Sequence, residues 1–392
     1  MTPPSGRELR VEDVETLLAD VPTTRPHQLA TGTLRCQTLV LVRVRCSDGV
    51  VGTGEGTTIG GLEYHDESPE GIALAIDTYV APVLRACDPS RVNATMAAIA
   101  RAVRGNHHAK CAVELALLDA CGRRAGVPLA DLLGGLHHDR LPVAWTLASG
   151  DTARDIEEAE RLLELRRHRA FKLKLGARDP AHDLAHARAI KSALGDRASV
   201  RVDVNQAWDE RTAMRAFGTL EEAGVDLVEQ PVARERRDVM ARLCARFVVP
   251  IMADEALHGP EDAFDLARAA AADVFSLKLT PSGGVRGAAA VAAIAQAAGV
   301  GLYGGTLLEG PLGTAAAAQL CACLPRLEWG TELFGPLLLA EELLREPLEY
   351  SDFALTVPRG PGLGVELDED RVSAFRRDRA GRTSHVVQRT GG

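Results

Sequence analysis

The chain has 392 residues, of which 46% are apolar and 25% charged, and its formal charge at pH 7 is −9. That length can hold two domains and a large core, while the acidic balance and the lack of a basic tract argue against nucleic acid as a partner. No apolar run is long enough to span a membrane, and the amino terminus lacks the apolar stretch of a signal peptide, so a cytoplasmic protein is expected.

Residues from about 9 to 60 read as an antiparallel meander. Thr38 to Arg45 alternates before the turn Ser47-Asp48-Gly49, and Val50 to Glu55 returns. A polar loop with two prolines, Pro22 to His27, is expected between the first two strands, and a second loop over Thr57 to Tyr64. Helical patterns follow at about 69–86, 91–104 and 107–126, the last closed by Gly122 and Gly126. Strands followed by helices give an amino-terminal α+β unit, residues 1–138. Eight scattered cysteines with no C-x-x-C pair read as reduced core residues, not a zinc site. The pairs His107-His108 and His137-His138 read as exposed.

From Leu141 the pattern becomes strand, helix, strand, helix, and it continues for about 190 residues. No dinucleotide-type glycine fingerprint follows any strand; Gly52-x-Gly54-x-Gly56 lies in the hairpin with the wrong spacing. A parallel barrel over 139–335 is therefore expected, with functional groups at the carboxyl ends of its strands. Residues 336–376 turn back toward the first domain, and 377–392 read as a flexible tail.

Three acids close successive apolar runs in this region: Asp203, Glu229 and Asp254, spaced 26 and 25 residues apart. Any one alone would be read as a helix cap or an ion-pair partner. Equal spacing at the β/α period instead brings all three to one rim. Converging carboxylates repel unless a cation lies between them, and an all-oxygen set suits a hard divalent ion. Asn205 and Glu255 are expected to orient these ligands or the lysines.

Lysines flank the acids. Lys172 and Lys174 are two apart in Phe171 to Leu175, so they share one strand face while Phe171, Leu173 and Leu175 take the other. Inside a barrel, a neighbouring cation is expected to lower the pKa of the inner lysine, making it useful in proton transfer. Lys278 is the only charge in Val274 to Leu279 and stands opposite. Glu332, in Trp329 to Gly335, ends the last barrel run, with Glu309 a weaker rival. Lysine, acid, acid, acid, lysine on five strands points to metal-assisted acid/base chemistry, in which a cation takes the charge of a carbanion formed next to a carboxylate and a lysine moves the proton.

With these motifs the chain resembles the enolase superfamily, muconate-lactonizing branch, from about Val11 to Arg376. The resemblance is carried by Thr23 to His27, Thr57 to Gly61, Phe171 to Lys174, Arg201 to Gln206, Val228 to Pro231, Met252 to Glu255, Tyr303 to Gly310 and Trp329 to Pro336. It implies a modified TIM barrel, (β/α)7β, with an α+β cap completed by the carboxyl-terminal segment. It also implies an isomerase that closes cis,cis-muconate to muconolactone in bacterial aromatic degradation, with Mn2+ or Mg2+ on Asp203, Glu229 and Asp254. Lys174 would protonate the enediolate carbon, Lys172 would depress the pKa of Lys174, and Lys278 and the neighbouring Glu332 would act from the opposite face. Ile59, Tyr64 and Phe334 match cavity-lining positions. Thr280-Pro281 departs from the lysine-containing sequence common after the second lysine. A small dicarboxylate is the expected partner, a homo-oligomer the expected assembly, and Arg25 or His27 a candidate contact for the dianion. Alternatives are a chloromuconate-selective enzyme, and an N-succinylamino-acid racemase or dipeptide epimerase of the same branch.

Overall fold

The computed structural model describes residues 9–28, 33–63, 66–380 and 387–388. Three antiparallel strands open the chain: β1 (Val11–Gln28), β2 (Thr33–Cys46) and β3 (Val51–Thr57). The loop expected at residues 22–27 is instead part of β1, which continues through an irregularity between Pro22 and His27. The two prolines lack the N–H a ladder needs, so pairing with β2 lapses there and Thr23 bridges Leu339 instead.

Helices then cover this sheet: α1 (Pro69–Ala75), joined by a π turn at Ile76–Val80 to α2 (Ala81–Arg85), then α3 (Val92–Ala102) and α4 (His107–Ala125). Strand β3 lies directly on α4. A Cβ added to Gly54 would lie 2.0 Å from the Ala112 carbonyl oxygen, and one added to Gly52 2.0 Å from that of Ala116. The alternating glycines of the hairpin therefore serve backbone-to-helix approach. His108 is buried, with Nδ1 3.1 Å from the Thr57 carbonyl oxygen, so of that expected exposed pair only His107 faces solvent.

After the short α5 (Leu129–Leu132) and β4 (Arg140–Pro142), the barrel begins with β5 (Trp145–Leu147). It alternates α6 (Thr152–Glu164), β6 (Ala170–Lys174), α7 (Pro180–Leu194), β7 (Ser199–Asp203), α8 (Glu210–Ala223), β8 (Leu227–Glu229), α9 (Arg237–Arg246) and β9 (Ile251–Ala253). Then come α10 (Pro260–Arg268), β10 (Val274–Leu277), α11 (Val285–Ala298), β11 (Gly301–Gly304) and α12 (Pro311–Ala322). Strands β5 to β11 form one parallel seven-stranded sheet in sequence order. An eighth position closes it: Thr331 bridges Gly304 on one side and Val143 on the other, both in parallel. This is the modified (β/α)7β barrel expected. Phe171 and Leu173 are fully buried in its core. Leu227, Met252, Val274 and Tyr303 form a separate apolar cluster.

The chain continues through α13 (Gly335–Leu338), β12 (Tyr350–Ser351), β13 (Ala354–Thr356), α14 (Glu369–Phe375) and α15 (Arg377–Ala380), with β14 (Val387–Gln388) against β2. Leu363 donates its N–H to Asp119 of α4 at 2.8 Å, and Arg377 binds Asp20 and Glu70, so this segment returns to the cap. The tail expected from 377 thus begins with an anchored helical turn. Its residues 381–386 and 389–392 lie outside the described ones.

Candidate active site

The carboxyl ends of β6 to β10 meet at one rim of the barrel. In-register pairing sets Lys174 beside Asp203 and Asp203 beside Glu229, so these side chains share the inner face. Lys172 Nζ lies 3.1 Å from Glu229 Oε2 and 3.7 Å from Asp203 Oδ2, and it also pairs with Glu332. Lys174 Nζ lies 2.7 Å from Asp203 Oδ2 and 3.1 Å from Asn205 Oδ1. Across the rim, Lys278 Nζ lies 2.6 Å from Asp254 Oδ1. Asn205 Nδ2 donates to Glu255 Oε1 at 3.2 Å, linking the two sides.

Backbone strain marks the strand exits. Asn205, Gln206 and Gln230 all have positive φ, at 45°, 69° and 32°, a conformation that costs non-glycine residues on the order of 1–3 kcal/mol each. Gln230 has a role the sequence reading missed: its Oε1 accepts the amides of Asp254 and Ala256, at 3.0 and 3.1 Å, and so fixes the end of β9. Its position directly after Glu229 was the available signal.

Glu332 forms its ion pair with Lys172, because the closing segment that carries it lies between β11 and Val143, next to β5 and so near β6, and it lines the same cavity as Lys278, whose charge it also favours. Lys172 is the more buried of the two β6 lysines; burial alone disfavours its charge, but Glu229, Glu332 and Asp203 outweigh that and hold it well above the ordinary lysine value. Glu309 forms no ion pair with a lysine among the described residues; it accepts from Thr306, the Leu307 amide and Thr280.

The carboxylates carry more charge than the amines neutralise. Asp203, Glu229, Asp254, Glu255 and Glu332 face Lys172, Lys174 and Lys278, five acids against three bases. Burial, then repulsion from Asp203, pushes the Glu229 carboxyl well up, and burial with Asp254 pushes Glu255 up to about 8. Asp254 is held below its ordinary value because Lys278 outweighs its burial. Among the described residues no three side chains form a ready-made metal shell, since ammonium groups occupy the carboxylate oxygens. An all-oxygen, buried set in which five carboxyl groups face three amines nevertheless suits a hard dication, whose charge would favour the ionised forms of Glu229 and Glu255.

A small cavity sits over these groups. Ile59 from the cap and Thr306, Leu308 and Phe334 from the barrel line it, together with Thr146 and Lys172. Thr146, Thr306 and Leu308 were not singled out from sequence, although Thr146 lies within β5 and the other two follow β11. A cleft of about 540 Å3 between Asp66 and His107 of the cap and Arg234 and His258 of the barrel shares Asp254 and Lys278 with that cavity. Arg25 reaches toward the cavity but is held, donating to Glu158 Oε2 at 2.9 Å and to the Thr146 carbonyl oxygen at 3.3 Å, over the Trp145 ring. Tyr64 and the His27 side chain lie outside the described residues.

Comparison with known proteins matches this arrangement to a family. Residues 13–134 match "Mandelate racemase / muconate lactonizing enzyme, N-terminal domain", and 154–371 match "Enolase C-terminal domain-like". The chain is 59% identical over 370 residues to muconate cycloisomerase 1-2 of Acinetobacter lwoffii, covering 94% of this chain and 96% of that one. It is 49% identical over 369 residues to chloromuconate cycloisomerase of Delftia acidovorans, covering 94% and 100%. The crystal structure of muconate lactonizing enzyme from Pseudomonas fluorescens complexed with muconolactone superposes with a TM-score of 0.93 at 57% identity, over 95% of this chain and all of that one.

Proposed function

The chain belongs to the mandelate racemase / muconate lactonizing enzyme family of the enolase superfamily, and from that premise we propose that it is a muconate cycloisomerase, interconverting cis,cis-muconate and muconolactone through an enediolate. The observation that carries this reading is the pair of lysines on opposed strands, Lys174 against Asp203 and Lys278 against Asp254, with the acids between them.

Asp203, Glu229 and Asp254 would hold Mn2+ or Mg2+. When bound, a divalent ion supplies Lewis-acid stabilisation of the charge that builds on a substrate carboxylate. One carboxylate of muconate adds to the double bond conjugated with the other, and the electron pair moves into an enediolate. Lys174 holds the proton that goes to the enediolate carbon, and Asn205 aims its Nζ. Lys278 lends positive charge from the opposite face. Lys172, locked between Glu229 and Glu332, keeps its proton and acts as a fixed charge. Ile59, Leu308 and Phe334 exclude water from the side where the new ring forms.

Muconate is preferred to a chloromuconate as substrate because the muconate enzyme of A. lwoffii is the more similar relative, 59% against 49% identical. The protein is further read as a cytoplasmic homo-oligomer that needs no nucleic acid or membrane. The deciding experiment follows loss of muconate and chloromuconate by ultraviolet absorbance, beside racemisation of N-succinylamino acids by polarimetry, each with and without a chelator. Faster racemisation than lactonisation would overturn the assignment.

A further inference from the structure

Resting on the assignment above, we propose that Glu55 and Gln37 of the cap are positioning residues that set the shape of the substrate cavity by holding the barrel segment Thr306–Leu308. Glu55 lies near the end of β3 and is buried against the barrel. Its Oε1 accepts the Gly310 amide at 2.6 Å and the Thr57 hydroxyl at 2.8 Å; its Oε2 accepts the Leu312 and Gly313 amides, both at 3.1 Å. A carboxylate from one domain thus caps the amino end of α12 in the other, where free N–H groups and the helix dipole favour negative charge. Burial pushes its carboxyl up to about 7, yet all four partners are donors, the pattern an ionised carboxylate requires.

Gln37 of β2 completes the clasp. Its Nε2 donates to the carbonyl oxygens of Leu308 at 2.9 Å and Leu307 at 3.3 Å. Between these two holds, Leu308 sits at φ 57°, a left-handed conformation that persists only when its surroundings over-determine it. Glu309 supplies the local brace by accepting the Leu307 amide at 2.7 Å, and Thr306 Oγ1 takes the Leu308 amide at 2.9 Å. Thr306 and Leu308 face the cavity with Ile59, which follows Glu55 by four residues. The wall of the cavity therefore exists in this shape only while the cap is docked, and the two cap residues act on substrate through Leu308.

A matched control lies nearby. Glu114 of α4 is as deeply buried and also joins cap to barrel, accepting Arg286 Nε at 2.5 Å, but it does not line the inner cavity. Three variants, Glu55→Gln, Gln37→Leu and Glu114→Gln, are compared with the native enzyme for kcat and KM on muconate and a chloromuconate, and for thermal midpoint. The two clasp variants are expected to raise the muconate KM about tenfold, with kcat changed less than about threefold and the ratio of kcat/KM values for the two substrates shifted. Glu114→Gln is expected to lower the midpoint while leaving KM and that ratio unchanged. The inference is overturned if both clasp variants keep native KM and selectivity, or if Glu114→Gln shifts them equally. Should Glu55→Gln fail to fold, Gln37→Leu decides. A native enzyme inactive on muconate would instead sink the functional assignment.

Discussion

Lys174 donates to Asn205 across 3.1 Å, and the same amide group passes on to Glu255 at 3.2 Å. Asn205 is thereby a hinge pin between the proton-carrying lysine and the acid side of the rim. Asn205→Ala is expected to lower kcat by about 10–100-fold with little change in KM, because it frees a group whose aim matters in the transition state. Lys174→Ala should be more severe, a loss of about 10²–10⁴. Steady-state kinetics on muconate check both; an Asn205→Ala enzyme with native kcat would remove the amide from the mechanism.

Divalent ions should be needed and should bind once per chain. Exhaustive chelation is expected to stop turnover, and returning Mn2+ or Mg2+ to restore it. Titration calorimetry should find one site in the native protein and none in Glu229→Ala, where the most charge-crowded carboxyl is gone. Full activity after chelation would exclude the metal.

The β/α repeat, the three acids and both lysine strands were legible because a period of 25 or so residues and a two-residue alternation are properties of neighbours in sequence. The partner of Glu332 was not, because it depends on where the closing segment docks. Nor was the upward push on Lys172, which depends on three carboxylates from other strands or segments. His108 looked exposed beside His107, but only the helix face packed on β3 decides which of two adjacent histidines is buried.

That burial carries a pH dependence. His108 and His168 are both pushed down to about 4, chiefly by burial, whereas unfolded histidine titrates near 6.5. The unfolded chain therefore binds protons first as pH falls. Their contribution is complete above about pH 7 and is lost between about 6.5 and 4, amounting to about 2 kcal/mol per histidine at pH 5. Urea unfolding at pH 7 and 5 measures it, and His168→Gln should shallow the slope.

Gly54→Ala tests the glycine face of β3. Its new methyl would lie 2.0 Å from the Ala112 carbonyl and 2.7 Å from the Ala116 amide, both helix backbone that cannot step aside. A loss of at least about 3 kcal/mol is expected, read as a lowered thermal midpoint. Gly49→Ala, where nothing lies within 4 Å, provides the comparison for strained φ alone.

Arg25→Ala should raise the muconate KM severalfold, on the order of 1 kcal/mol, by removing a cation at the rim and freeing Glu158, which it pairs with. An unchanged KM would restrict Arg25 to anchoring β1 on the barrel.

The single-residue closure of the barrel has one more consequence. Thr331 is the residue that bridges both neighbours where the ring is joined, and Glu332 is the next residue along. Slight parting of that joint would draw the acid off Lys172 and alter the charge balance beneath the substrate while every full strand stayed put. Amide exchange at Ala144 and Glu332, whose N–H groups form two of the rungs, is where such breathing would first be heard.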